Sequence, residues 1–162
     1  MSDIEQSLRE KFAEDVMAVS DFRGDLAITV RRERIADVGA FLLSPEGGAF
    51  AMMLDICGVD YLGREPRFEV VYHLMSLETK ERVRIKAQVS EGDPTVPTVT
   101  HLWKAANWFE REVYDLFGIT FSGHPDLRRI LTHDEFVGHA LRKDYPLDGR
   151  QELSRPTPFA EE

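Results

Sequence analysis

Two stretches of alternation constrain this chain more than anything else in it. Phe68, Val70, Tyr72 and Leu74 interleave with Glu69, Val71, His73 and Met75. Val83, Ile85, Ala87 and Val89 interleave with Arg82, Arg84, Lys86 and Gln88. A period of two is the period of an extended chain, whose successive side chains point to opposite faces. The second stretch has one dry face and one charged face, so its sheet needs cover on one side only. Ser76 to Glu81 reads as the turn that joins the two strands.

The flanking segments supply the cover. Ile4, Leu8 and Phe12 share one helical face, with Ser2 or Asp3 placed to cap it. Val16–Val19 and Leu26–Val30 flank Asp21-Phe22-Arg23-Gly24-Asp25 and read as a hairpin. Ile35, Val38, Phe41 and Leu42 form a second helical stripe, stopped by Ser44-Pro45-Glu46-Gly47-Gly48. Phe50 to Tyr61 is apolar on both faces except for Asp55 and Asp60, which predicts a central strand. The order helix, strand, strand, helix, three strands predicts an α+β two-layer sandwich. Its sheet is mixed but mainly antiparallel, with helices on one face.

After a Pro-containing linker at 91–100, Leu102, Ala106, Phe109, Val113 and Leu116 mark another helix. Thr98 or Thr100 could cap it and Gly118 end it. Beyond Phe121 the periodicity fades. Yet residues 122–150 still hold Leu127, Ile130, Leu131, Phe136, Val137, Leu141, Tyr145 and Leu147 among their glycines and prolines. An irregular segment this apolar needs another surface to lie on. The chain is therefore expected to divide into an α+β domain at 1–117 and an irregular C-terminal extension at 118–162 that packs on a partner surface.

Charge divides the same way. The 162 residues carry a net charge of −9. Residues 1–100 hold 12 Lys and Arg against 18 Asp and Glu, whereas residues 101–150 hold 7 against 8. The later stretch also contains four of the five histidines and both tryptophans, which points to a different job. The acidic balance speaks against non-specific nucleic-acid binding, which needs cations to displace counterions from phosphates. One cysteine, Cys57, allows no internal disulfide and no cysteine-ligated cluster or zinc site. No apolar run approaches the ~18 residues of a membrane span, and the first residues have no signal-peptide character. A cytosolic location, or attachment to something that faces the cytosol, is expected.

Four constellations could carry chemistry. His124, Asp126, His133, Asp134 and His139 sit at irregular spacing among turn residues, where backbone hydrogen bonding is the favoured reading over metal ligation. A metal-dependent hydrolase using His124, His133 and His139 is the alternative. Glu110, Arg111, Glu112 and Asp115 lie on one helix, where Arg111 and Asp115 could pair across a turn. Glu110 and Glu112 point about 200° apart and form no acid–base dyad. Spacing alone favours a solvated helix face. Arg128-Arg129 and Arg142-Lys143 each border apolar residues and an acid, Asp126 or Asp144. With no glycine-rich phosphate loop nearby, ion pairs within or between subunits are favoured. Cys57 sits in an apolar strand and reads as structural.

Residues 108–132, WFEREVYDLFGITFSGHPDLRRILT, resemble the signature of the 30-kilodalton subunit family of respiratory complex I, whose bacterial members belong to NADH:quinone oxidoreductase. The pattern E-R-E-x-x-D-x-x-G-I-x-F-x-G-H-P-D-L-R-R-I-L is met from Glu110 to Leu131, through Gly118, Phe121, Gly123, His124, Pro125, Asp126, Leu127, Arg128 and Arg129. Gly138-His139 and Leu141-Arg142-Lys143-Asp144-Tyr145-Pro146-Leu147 resemble its G-H-P-L-R-K-D-[FY]-P-L, with Ala140 in place of the proline. Gly58-Val59-Asp60-Tyr61 and Arg64 to Leu74 resemble a further stretch. The resemblance implies a structural and assembly component of the peripheral arm of a proton-translocating enzyme, with no catalytic residues, metal or cofactor of its own. The complex would pass electrons from NADH through FMN and iron–sulfur clusters to quinone. The chain would pack chiefly on the large subunit of that arm, on the cytoplasmic side of the bacterial inner membrane, touching the membrane only through the complex. The alternative within the resemblance is the equivalent subunit of a related membrane-bound hydrogenase or of an F420H2 or plastoquinone-type complex. Glu110, Glu112 and Asp115 would neutralise Arg128, Arg129 and Arg142, while Gly118, Gly123 and Pro125 would set the turn. A tail shorter than in many members implies fewer tail contacts.

Overall fold

The computed structural model describes residues 3–149 and 151. The caps expected from Ser2 and from the Asp3 side chain, and the end of the extension from 152 onward, lie outside the described residues. In chain order the elements are α1 (Asp3–Lys11), β1 (Val16–Phe22), β2 (Asp25–Val30), α2 (Ile35–Leu43), β3 (Met52–Asp60), β4 (Phe68–Met75), β5 (Arg82–Val89), β6 (Thr95–Pro97), α3 (Ala106–Phe117) and β7 (Thr120–Ser122). The α+β reading holds.

Five strands form one sheet in the order β1-β2-β5-β4-β3. Within it the β2–β5 pair is parallel and the other three pairs are antiparallel. Arg23 and Gly24, both at positive φ (57° and 87°), close the β1–β2 hairpin in two residues. Register aligns Ile28, Ile85, Tyr72 and Ile56 across four strands, and that face is the dry one. Buried Ile35, Val38 and Leu42 of α2 lie over Tyr72, Leu74 and Ile85. A Cβ on Gly58 of β3 would meet the Phe117 ring of α3 at 2.7 Å, so glycine there lets helix and strand approach closely.

Three expectations need correction. The segment from Phe50 is an edge strand, β3, paired only with β4 among the described residues. Helix α3 packs on the strand's dry face, where Phe117 meets Gly58, and the other face, with Cys57 and Val59, is only half-buried. The linker at 91–100 contains β6, which pairs in parallel with β7. Helix α3 begins at Ala106 rather than beside Thr98 or Thr100, and Ala105 precedes it without a side-chain cap. Turns fill the gap, and Trp103 there buries its ring and donates its indole N–H to Phe50 O at 3.2 Å. Gly118, at φ 72°, ends the helix as expected.

Candidate docking site

Helix α3 is the spine of the site. Its sequence looks like a solvated face, but Glu110 and Asp115 are wholly buried and Arg111 nearly so, which overturns that expectation. Only Glu112 of the four is exposed. Each buried group holds a different piece of chain.

Glu110 points inward. It accepts the Thr98 hydroxyl at 2.5 Å and the Val99 N–H at 2.8 Å, tying the exit of β6 to α3. Burial pushes its carboxyl up to about 7, and those two hydrogen bonds offset only part of the rise. The Tyr72 hydroxyl, buried and without a hydrogen-bond partner among the described residues, is close enough to feel the Glu110 charge. Burial first, and that charge second, lift the phenol well above its ordinary value. His124 Nε2 is 4.0 Å from Glu110 and 3.2 Å from the Asn107 carbonyl, while Nδ1 accepts the Asp126 N–H at 3.0 Å. The neutral tautomer with its proton on Nε2 satisfies both bonds.

Asp115 points the other way. It accepts the backbone N–H groups of Ile130, Leu131 and Thr132 at 3.0, 2.7 and 2.9 Å, together with the Thr132 hydroxyl. Arg129 adds an ion pair at 2.7 Å. Burial opposes the charge, but these donors win and hold the carboxyl far below the usual range. Asp115 therefore pairs with Arg129, not with Arg111 one turn away. Arg111 instead donates to the carbonyls of Arg128 and Arg129 at 3.2 and 3.3 Å and lies over the Trp108 ring.

The end of α3 is closed by residues far along the chain. An α-helix leaves its last carbonyls without partners. His139 Nδ1–H donates to Asp115 O at 2.9 Å, Leu141 N–H to Leu116 O at 3.0 Å, and Arg142 Nε–H to Phe117 O at 2.6 Å. Burial, followed by the nearby arginine charges, keeps His139 below its ordinary pKa. A Cβ on Gly118 would sit 2.5 Å from the His139 ring and 2.7 Å from Arg142, so glycine is needed for space as well as conformation.

One group escaped the sequence reading. Arg67, 3% exposed, uses all five of its N–H bonds. Asp60 receives Nε and Nη2 at 2.9 and 2.8 Å, Asp144 receives Nη1 and Nη2 at 3.0 and 2.7 Å, and Glu91 receives Nη1 at 2.6 Å. Asp60 also accepts the Lys143 N–H at 2.8 Å. The pairs raise the Arg67 pKa, through Asp60 first, and lower those of Asp60 and Asp144. Arg67 and Arg142 both lie on the Phe68 ring, at 4.9 and 5.1 Å. In the sequence, Asp60 stood out only as one of two acids in an apolar strand, and Arg67 only as part of a family-like stretch.

Other expected residues take lesser parts. Phe121 is buried in β7, Gly123 has φ 82°, Pro125 is exposed, and Leu127 packs partly on the core. Arg128 is exposed and pairs with Asp126, at 3.0 Å. Of the three arginines expected to be neutralised by the helix acids, Arg129 alone is so paired among the described residues. Among the same residues no three His, Cys, Asp or Glu side chains converge as metal ligands, and His133 packs edge-on to Phe136.

The model of the respiratory-chain NADH dehydrogenase 30-kilodalton subunit family matches residues 28–151. The chain belongs to that family. A NADH-quinone oxidoreductase subunit of Geobacter metallireducens is 54% identical over 143 residues, covering 88% of this chain and 87% of its own. Its counterpart from Geotalea uraniireducens, which bears the same name, is 52% identical over 142 residues, 88% of this chain and 85% of its own. Among solved structures, a trypsin-resistant fragment (1–134) of Nqo5 superposes with a TM-score of 0.67 at 42% identity. It covers 78% of this chain and all of its own. The family's signature thus falls on α3 and the segment that α3 organises.

Proposed function

We propose that this component of the NADH–quinone oxidoreductase peripheral arm is a non-catalytic scaffold. It docks through α3 and residues 128–149, chiefly on the large subunit of the arm, on the cytoplasmic side of the membrane. One observation carries the reading. Trp108, Leu131, Val137, Leu141 and Leu147 are all more than half exposed, and all lie on α3 or the segment it organises. Their neighbours Arg128 and Lys143 are exposed as well. Apolar anchors beside cations suit a protein partner. The division into a body at 1–117 and a docking extension at 118–162 follows from the same reading.

The donor set supports the absence of a redox group in this chain. Iron–sulfur clusters are held mainly by thiolates. The single cysteine, Cys57, is half-buried, and burial followed by the Asp55 charge pushes its thiol up, away from the ligating form. NADH, FMN, the clusters and quinone would then be bound elsewhere in the complex. Among the described residues no helix is long and apolar enough to cross a membrane, so membrane contact would run through other subunits.

Affinity purification of the tagged chain from its native membranes tests the reading. The large subunit and other members of the peripheral arm should co-purify, and combined Leu131→Asp and Leu141→Asp substitutions should abolish the capture. Capture at normal yield with both charges in place would overturn it.

A further inference from the structure

The docking segment is attached in an unusual way. From Arg128 to Gly149 no residue is buried as a whole. What binds it to the body is polar: the Asp115 carboxylate, the Arg111 guanidinium, the last carbonyls of α3, and the Arg67–Asp60–Asp144 clasp. Water can take over every one of those bonds if the segment lifts. None of the segment's apolar side chains is packed on the hydrophobic core, so the hydrophobic effect adds little to those bonds.

The segment also has internal cohesion. Phe136 stacks on Tyr145 with ring centres 5.7 Å apart, and Arg129 lies over Phe136. The Gln151 amide bridges Val137 N–H, Val137 O and the Tyr145 hydroxyl at 2.8, 2.7 and 2.7 Å. Just upstream the chain is pinned, with the His124 ring fully enclosed and Leu127 packed on the core. A piece that coheres within itself, is pinned at one end and is held elsewhere by charge is built to move as one.

We infer that residues 128–149 form a strap that opens from α3 as a unit, latched at Asp115 and at the Arg67–Asp144 pair, and that partner docking locks it shut. This rests on the docking reading above. Apart from Trp108 on α3, the apolar side chains that would meet the partner lie on the strap, whereas Asp115 and Arg67 lie beneath it. Shape and docking are then coupled, and a partner selects the closed strap.

Amide hydrogen exchange on the full-length chain, resolved residue by residue, tests this. The reporters are Ile130, Leu131 and Thr132, bonded to Asp115, Leu141, bonded to Leu116 O, and Lys143, bonded to Asp60. They should exchange at a common rate, about 100-fold faster than the amides of β4 and β5. Asp144→Asn removes a half-exposed partner without emptying the core. It should speed all five by about fivefold, including Leu131 at the far end, and leave β4 and β5 unchanged. Raising salt from about 0.05 to about 0.5 M should act in the same direction. If Lys143 alone responds, or Leu131 is as slow as Tyr72, there is no unitary strap. In purified complex containing the chain, the five amides should slow together by at least about tenfold. Complex that holds the chain without slowing them overturns the lock. Failure to recover the chain in any complex sinks the docking reading instead.

Discussion

The sheet and the strap are held by opposite kinds of physics. Across β2, β5 and β4 the core is made of side chains such as Ile28, Ile85, Val70 and Leu74, each at most 2% exposed. The strap has no such residue, and it is held largely by Asp115 and Arg111 of α3, which spacing had placed on a solvated face. Apolar burial is non-directional and adds up over area. Charge-assisted hydrogen bonds are directional and fix a geometry. One part of this chain is made to be stable and the other to be shaped.

The largest effect should come where the two regimes meet. Phe68 is wholly buried in β4, and its ring also carries Arg67 and Arg142. Phe68→Ala should remove about 4 kcal/mol of global stability in urea unfolding, by cavity formation. It should also loosen the clasp, visible as faster exchange at Lys143. A loss below about 1 kcal/mol would mean that the core is less tightly packed than its burial indicates.

Next comes the strap's central latch. Asp115→Ala deletes an ion pair and four other hydrogen bonds, and leaves three strap N–H groups facing a small void. Opening of the strap should become easier by about 3 kcal/mol. The urea midpoint for the sheet, followed by far-ultraviolet circular dichroism, should move much less. Equal losses in both would join the two regions into one cooperative unit and break the comparison.

The two buried carboxylates of α3, Glu110 and Asp115, provide a sharper contrast, because their pKa values move in opposite directions. Glu110 binds its proton more readily folded than unfolded, so stability falls as pH rises from 4.5 to about 7 and is level above that. A shift of that size corresponds to roughly 3 kcal/mol. Asp115 does the reverse. Its contribution is present at neutral pH and is lost as pH drops below the ordinary carboxylate value of 3.8. Glu110→Gln should therefore stabilise the chain by about 2 kcal/mol at pH 8 and by little near pH 4, with the urea midpoint measured at both. A pH-independent effect would show that Glu110 ionises at its ordinary value.

How much of this was legible in the sequence follows the same divide. Period-two runs gave β4 and β5, and a period of 3.6 gave α2 and most of α3, because burial of a face leaves a local trace. The edge position of β3 left none, since Cys57 and Val59 give its second face an apolar look although both are only half-buried. Strands β6 and β7, three residues each, are too short to carry a period. The latches were harder still. Glu110 and Asp115 read locally as surface charges, and only distant partners, Thr98 on one side and Ile130 to Thr132 on the other, reverse that. Arg67 joins Asp60, Glu91 and Asp144, three acids with no shared local pattern. The family signature runs along α3 and into the strap, while the structure shows which of its residues hold chain together: Glu110, Arg111, Asp115 and Arg129 do, and Glu112 and Pro125 lie exposed.

The smallest effect on stability separates the neighbours Arg128 and Arg129. The sequence treats them as one basic pair. The fold assigns Arg129 to the latch, with its side chain 16% exposed against Asp115, and leaves Arg128 72% exposed beside Asp126. Arg128→Ala should change chain stability by no more than about 0.5 kcal/mol, as expected for an exposed pair. Yet its loss should lower the yield of assembled complex in pull-downs, because an outward arginine beside apolar anchors lies within a partner's reach. Arg129→Ala should lower the same yield by another route, through a strap that exchanges faster in the free chain. The two variants thus share an assembly phenotype and differ in exchange. If Arg128→Ala also speeds exchange at Leu131, or leaves assembly untouched, the division between a latch beneath the strap and a docking face above it fails at the residue where it is drawn most finely.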